Sequence, residues 1–152
     1  MNNLLFKDMQ SYSIPPLKLQ QISLTDVRFP TSTTGEGTDA VHVNCNYSAA
    51  YVTLTSVLID SKKPGPTAHS IIFTIGKGND VAAKVCEDLA YIVEGHSLEE
   101  IVTNFPVFLK RLANEPQLRW LGPEKGVVHL ATSGIVNAIW DLWGKAVNKP
   151  LW

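Results

Sequence analysis

At 152 residues with 45% hydrophobic content, the chain fits one domain and can bury a real core. Thirteen Lys and Arg against fourteen Asp and Glu leave a net charge of -1 and no basic block, which argues against a nucleic-acid partner. Cys45 and Cys86 share no zinc or redox spacing, and no stretch approaches the roughly 20 apolar residues of a membrane span; both point to an intracellular protein with reduced thiols that does not enter a membrane.

The opening "MNNLLFKDMQSYSIPPL" has one short apolar run and no arginine, unlike a secretory signal or an Arg-rich mitochondrial presequence. It reads as a flexible tail over residues 1–17 ahead of a domain at 18–150, with the cytoplasm as the expected location. A mitochondrial one would need a presequence that this segment does not clearly supply.

From Lys18 to Phe29, Leu19, Ile22, Leu24, Val27 and Phe29 roughly alternate with polar residues, which predicts a strand ended by Pro30. A long polar stretch, "PTSTTGEGTDAVHVNCNYS", precedes a second strand in "AAYVTLTSVLI". "KKPGPT" supplies turn chemistry and "AHSIIFTIG" a third strand, so the three form an antiparallel meander. After Gly78 the period changes: Val81, Val85, Leu89 and Ile92 mark an amphipathic helix, capped by Asn79 or Asp80 and closed by Gly95. Ser97 and Glu100 form a capping box for a short second helix, and Phe105 to Leu112 reads as a third, started by Pro106.

The last helix spans about Glu124 to Val147, and Asn148 and Pro150 punctuate its end. Val127, Val128, Leu130, Ala131, Ile135, Val136, Ala138, Ile139, Trp140, Leu142 and Trp143 cover most of its circumference, so it must be buried on more than one side. One side can be its own sheet; the other calls for a partner. Strands followed by helices make the class α+β.

Chemistry is sparse. His42, His69, His96 and His129 fall in separate elements without ligand spacing. "GKG" at 76–78 lacks both the third glycine of a dinucleotide fingerprint and the Gly-Lys-Ser/Thr ending of a phosphate loop, so it reads as a strand-to-helix turn. Glu99 and Glu100 suit a helix start without catalytic purpose. No base, nucleophile or metal cluster assembles, which disfavours a complete small enzyme. The connection from Thr31 to Tyr47 exceeds ordinary length. Gly35 and Gly37 allow close backbone approach, and Thr38, Asp39, His42 and Tyr47 can hydrogen-bond a polyhydroxylated ligand. Composition alone favours an idle loop.

The ending "ATSGIVNAIWDLWGKAVNKPLW" resembles the signature helix of the mandelate racemase/muconate lactonizing branch of the enolase superfamily, with Ala131, Gly134, Ala138, Trp140-Asp141-Leu142, Gly144-Lys145 and Pro150-Leu151 in register. "DVRFPTSTTGEGTDAVH", "NYSAAY", "FTIGKGNDV" and "LRWLGPEKGVVHLAT" are similar to the L-fuconate dehydratase group within it. The turn "SKKPGPTAHS" departs from the group's usual glycine-rich segment, and Val136 stands where the signature has an acidic residue.

The resemblance implies an N-terminal capping domain, normally fused to a (β/α)₈ barrel that carries the catalytic lysine, histidine and Mg²⁺ ligands. Such a barrel takes about 250 residues. The expectation is a cap whose chain stops at 151–152, at the start of the linker to a missing barrel. No catalytic or metal-binding residue is then expected in this chain, and no Mg²⁺ is expected to bind it alone. By the matching stretch, Gly37, Thr38, Asp39 and Tyr47 are the implied substrate-binding positions, contacting an acid sugar once the barrel is present. Expected partners are the barrel or a homologous chain. The rival reading is a non-catalytic module that binds a partner through the Trp140/Trp143 face.

Overall fold

A computed structural model describes residues 13–122 and 124–151. Residues 1–12 of the expected tail and Trp152 of the expected linker start lie outside the described residues. The sequence pattern at Leu17, Leu19, Ile22 and Leu24 breaks a strict two-residue period. Strand β1, Leu17–Arg28, resolves this with a register shift between Leu19 and Gln21, so that both pairs face the core. Strand β2, Ser48–Leu58, buries Ala50, Val52, Leu54 and Ser56, and β3, Ala68–Thr74, buries Ala68 and Ile72. The sheet is antiparallel in the order β1-β2-β3, as the meander reading expected. The turn between β2 and β3 closes through Leu58 N–H donating to the Lys63 carbonyl at 2.9 Å, with Lys62 at a φ of 58°.

Helix α1, Asn79–Leu89, corrects two expectations. Its cap is Gly78, left-handed at a φ of 89°, and no side chain caps the first turn. The Asn79 amide is recruited elsewhere, accepting from Thr74 and donating to Asp26. Val81 is 45% exposed, and Ala82 and Cys86 take the inward positions beside Val85 and Leu89. Helix α2, Leu98–Thr103, carries both halves of the Ser97–Glu100 capping box, and α3, Phe105–Ala113, has Pro106 in its first turn.

Helix α4, Val127–Val147, starts later than Glu124, after Gly126. It lies against the sheet and α1, burying Val128, Ala131, Ile135, Ala138, Ile139 and Leu142. Its second side is largely covered by the chain itself: Trp143 is only 5% exposed, and the half-buried Trp140 packs against Phe105 in a tilted pair with ring centroids 4.6 Å apart. The aromatic rings of α3 supply much of the cover that the helix pattern assigned to a partner. Asn148, in the left-handed region, ends the helix.

Each edge of the sheet is covered over part of its length, which shortens the unpaired rows that invite strand addition. On the β1 edge, Leu19 exchanges backbone bonds with Gly95 and His96, and Glu94 accepts from Ile22 N–H at 2.9 Å. On the β3 edge, Asp141 accepts from His69 N–H at 2.7 Å and Lys145 donates to the Thr67 carbonyl at 2.9 Å. The β1–β2 loop and the β3–α1 turn emerge together at one end of the sheet.

Candidate functional site

The Thr31–Tyr47 connection is built as a small structure of its own. A short 3-10 turn at Thr31–Thr33 opens it, and its return is pinned to that turn. Thr31 Oγ1 donates to the Cys45 carbonyl at 2.9 Å and accepts from Tyr47 N–H at 3.0 Å, while Asn46 Oδ1 accepts from Ser32 N–H at 3.1 Å and Ser32 Oγ at 2.7 Å. The stem is thus fastened by side chains where no strand ladder exists.

Within it, Gly37 and Tyr47 are brought together. Tyr47 Oη donates to the Gly37 carbonyl at 3.1 Å, and the Cys45 thiol reaches the same oxygen at 3.4 Å. Gly37 has a φ of 70°, and a Cβ placed there would stand 1.9 Å from Tyr47 Oη, so any other residue must displace the Tyr47 ring. The Tyr47 ring leans on Phe73 with centroids 5.6 Å apart. Partial burial, with Cys45 and Asp39 adding to it, pushes the phenol above its ordinary range, so it stays a neutral donor and acceptor.

Thr38 donates its N–H to the Gly35 carbonyl at 3.3 Å and continues the turn. Asp39 has a different local role: its Oδ1 accepts from the N–H groups of Val41 at 2.8 Å and His42 at 2.6 Å, and its Oδ2 meets His42 Nδ1 at 3.1 Å. These bonds, led by the His42 amide, hold the carboxyl down at about 2, against an ordinary 3.8. Oδ2 keeps accepting capacity toward solvent, and the side chain is 59% exposed.

A group whose pKa is lowered on folding adds stability above its unfolded pKa and loses it as pH falls through the folded one. Protection of the Val41 and His42 amides against hydrogen exchange is therefore expected to hold at pH 4 and to fade toward pH 2. Asp39→Asn should lack that dependence. An identical pH profile in the variant, read by NMR, would show that the carboxylate does not order the turn.

The sequence reading missed the stem. Cys45, Asn46, Ser32 and Thr31 hold the loop's shape, and Asn46 packs on Gly76, where an added Cβ would lie 3.1 Å from the Asn46 carbonyl. The clustering of Ser, Thr and Asn around the loop ends was the available signal. Among the described residues no three His, Cys, Asp or Glu side chains could hold a metal ion, so the loop's chemistry is derived without one. Among them, too, no helix is long and apolar enough to cross a membrane.

No protein-family model matches the chain. It is 47% identical over 135 residues to mitochondrial enolase superfamily member 1 of Xenopus laevis, covering 89% of this chain and 29% of that protein. It is 46% identical over 127 residues to L-galactonate dehydratase of Hypocrea jecorina, covering 84% and 27%. The crystal structure of human mitochondrial enolase superfamily member 1 superposes with a TM-score of 0.84 at 45% identity, over 92% of this chain and 31% of that one. The chain thus spans about 30% of the length of the curated relatives it matches, in their N-terminal part. It belongs to the enolase superfamily, as the N-terminal α+β capping domain of the L-fuconate dehydratase-like group.

Proposed function

We propose that this chain is the capping and substrate-specificity domain of a hydro-lyase that dehydrates acid sugars, and that it does no chemistry alone. The observation that carries the reading is the fastened loop at one end of the sheet. It presents Gly37, Thr38 and the exposed Asp39 carboxylate beside the Tyr47 hydroxyl, in a chain 46% identical to an L-galactonate dehydratase over the matched residues. Asp39 Oδ2 and Tyr47 Oη can each accept from a sugar hydroxyl without giving up the bonds that hold the loop. A loop so placed can also exclude water from a neighbouring reaction centre.

The dehydration chemistry of the group calls for Mg²⁺, which when bound stabilises the charge that develops as a proton leaves the carbon beside a carboxylate. The described residues here do not fit it, and its ligands would be supplied by the barrel that joins such a cap.

The test is a chimera in which this chain replaces the matching segment of L-galactonate dehydratase. Asp39→Ala should lower kcat/KM for acid sugars roughly 10- to 100-fold, as for a lost hydrogen bond to a charged group, and Tyr47→Phe roughly 2- to 10-fold. Unchanged kinetics in both would remove the loop from recognition. A partner-binding reading draws on one observation, a groove of about 620 Å³ lined by Asn137, Trp140, Gly144, Pro150 and Leu151. A cap that packs on a barrel through α4 would fill that groove as well.

A further inference from the structure

Beneath the loop stem lies a polar cluster that the hydrophobic core does not explain. Asp26 and Arg28, two apart on β1, project to the same face. Arg28 Nε donates to both Asp26 oxygens at 2.9 Å, and a second guanidinium nitrogen donates to Oδ2 at 2.7 Å. Asn79, fully buried at the start of α1, donates to Asp26 Oδ1 at 2.5 Å and accepts from Thr74 Oγ1, at the end of β3, at 2.8 Å. Arg28 also reaches the Gly76 carbonyl at 3.5 Å and Asp80 at 3.4 Å.

The bonds continue upward. Asn46 N–H donates to the Ile75 carbonyl at 3.1 Å, and its side chain holds Ser32. One connected path therefore runs from the start of α1 through Asp26, Arg28 and the Gly76 turn to both ends of the loop. A buried amide with fixed donors and acceptors defines an orientation that an apolar contact does not, and a guanidinium fork fixes its carboxylate in a plane. The elements it joins, β1, β3 and α1, meet here through Asp26, Thr74 and Asn79.

We propose that Asp26, Arg28 and Asn79 form a positioning clamp that sets the Gly76 turn and Asn46, and through them holds the Thr31–Tyr47 loop with Gly37 against Tyr47. The proposal deepens the reading above, and rests on it for what the loop recognises. Its geometric content stands apart from that reading and can be tested on the 152-residue chain.

The two cysteines serve as reporters. Cys45 is 6% exposed with its thiol on the Gly37 carbonyl, so it reacts only when the loop opens. Cys86 is fully buried and its thiol is pushed up to about 12 by that burial, so it reacts only on wider unfolding. Labelling with dithiodipyridine, assigned by peptide mass, separates the two rates. Asp26→Asn and Arg28→Met are each expected to speed Cys45 labelling about tenfold, as for loss of a charge-assisted bond, with Cys86 unchanged. Arg28→Lys, which keeps the charge but not the fork, should recover only part of it.

Equal Cys45 rates in parent and both variants would overturn the clamp. Should Asp26→Asn expose Cys86 as well, the half-exposed Arg28 decides through its own variant. In the chimera, Arg28→Met should raise KM for the acid sugar while the urea midpoint stays put. Loss of the Asp39 and Tyr47 effects with the labelling result intact would sink the recognition reading and leave the clamp standing.

Discussion

Replacing Gly134 by valine is expected to lower the unfolding free energy by about 3 kcal/mol, the upper range for overpacking a filled core. Gly134 lies where α4 crosses the sheet. A Cβ there would stand 2.5 Å from Ile72 Cγ1, 2.8 Å from Ile72 Cδ1 and 3.2 Å from Val52 Cγ2. Neither neighbour can yield, since Ile72 is 1% exposed and Val52 0%. The helix cannot retreat without breaking the 2.5 Å bond from Ser70 Oγ to the Gly134 carbonyl and the contacts of Asp141 with His69 N–H and of Lys145 with the Thr67 carbonyl. Alanine should cost less, because its gain of about 1 kcal/mol in helix propensity offsets part of the clash. Urea midpoints followed by tryptophan emission give both values. Ile72→Ala in the valine background should recover much of the loss, since the cavity takes the added carbons. A midpoint for Gly134→Val equal to the parent's would mean that α4 is not seated as described.

Where local pattern and tertiary demand agree, the fold was legible. The first strand came from alternation, the second from its density of β-branched and aromatic residues, the turns from Pro and Gly, and the Ser97–Glu100 box from a pairing three residues apart. The disagreements have long-range causes. The expected Asn79 cap failed because its amide is claimed by Asp26, 53 positions away, and a left-handed glycine at 78 opened the helix instead. The α1 face was misread at Val81 because it joins Phe73, Ile75, Val127 and Leu130 around a surface groove of about 470 Å³. A helix wheel likewise does not show Phe105 lying against Trp140, nor the Trp140 ring meeting Trp143 edge-on. At the site, glycines in a long loop and the family resemblance pointed to Gly37, Thr38, Asp39 and Tyr47. No local rule foretold that the Gly37 carbonyl would receive both Tyr47 and Cys45, since that contact exists only once the stem has closed.

The Gly37 position gives the sharpest functional prediction, because Gly35 supplies its control. Both glycines have a φ of 70°, but a Cβ at Gly35 meets nothing within 4 Å, whereas one at Gly37 collides with the Tyr47 ring, 2.3 Å from Cζ. An alanine at either position bears the left-handed penalty of roughly 1–2 kcal/mol; only Gly37→Ala must also expel the tyrosine. In the chimera with L-galactonate dehydratase, Gly35→Ala is therefore expected to reduce kcat/KM a few-fold. Gly37→Ala should reduce it about a hundredfold, the scale of a catalytic surface displaced by an ångström. The backbone penalty is common to both, so the two variants should lower the urea midpoint by similar amounts and the difference in turnover reads the displaced ring. Adding Tyr47→Ala to Gly37→Ala should cost little more, because the first substitution has already displaced the ring, while Tyr47→Ala alone should approach the same loss. Equal effects at Gly35 and Gly37 would show that backbone strain alone matters and that Tyr47 takes no part. Parent-like turnover in Gly37→Ala would place sugar recognition elsewhere on the cap.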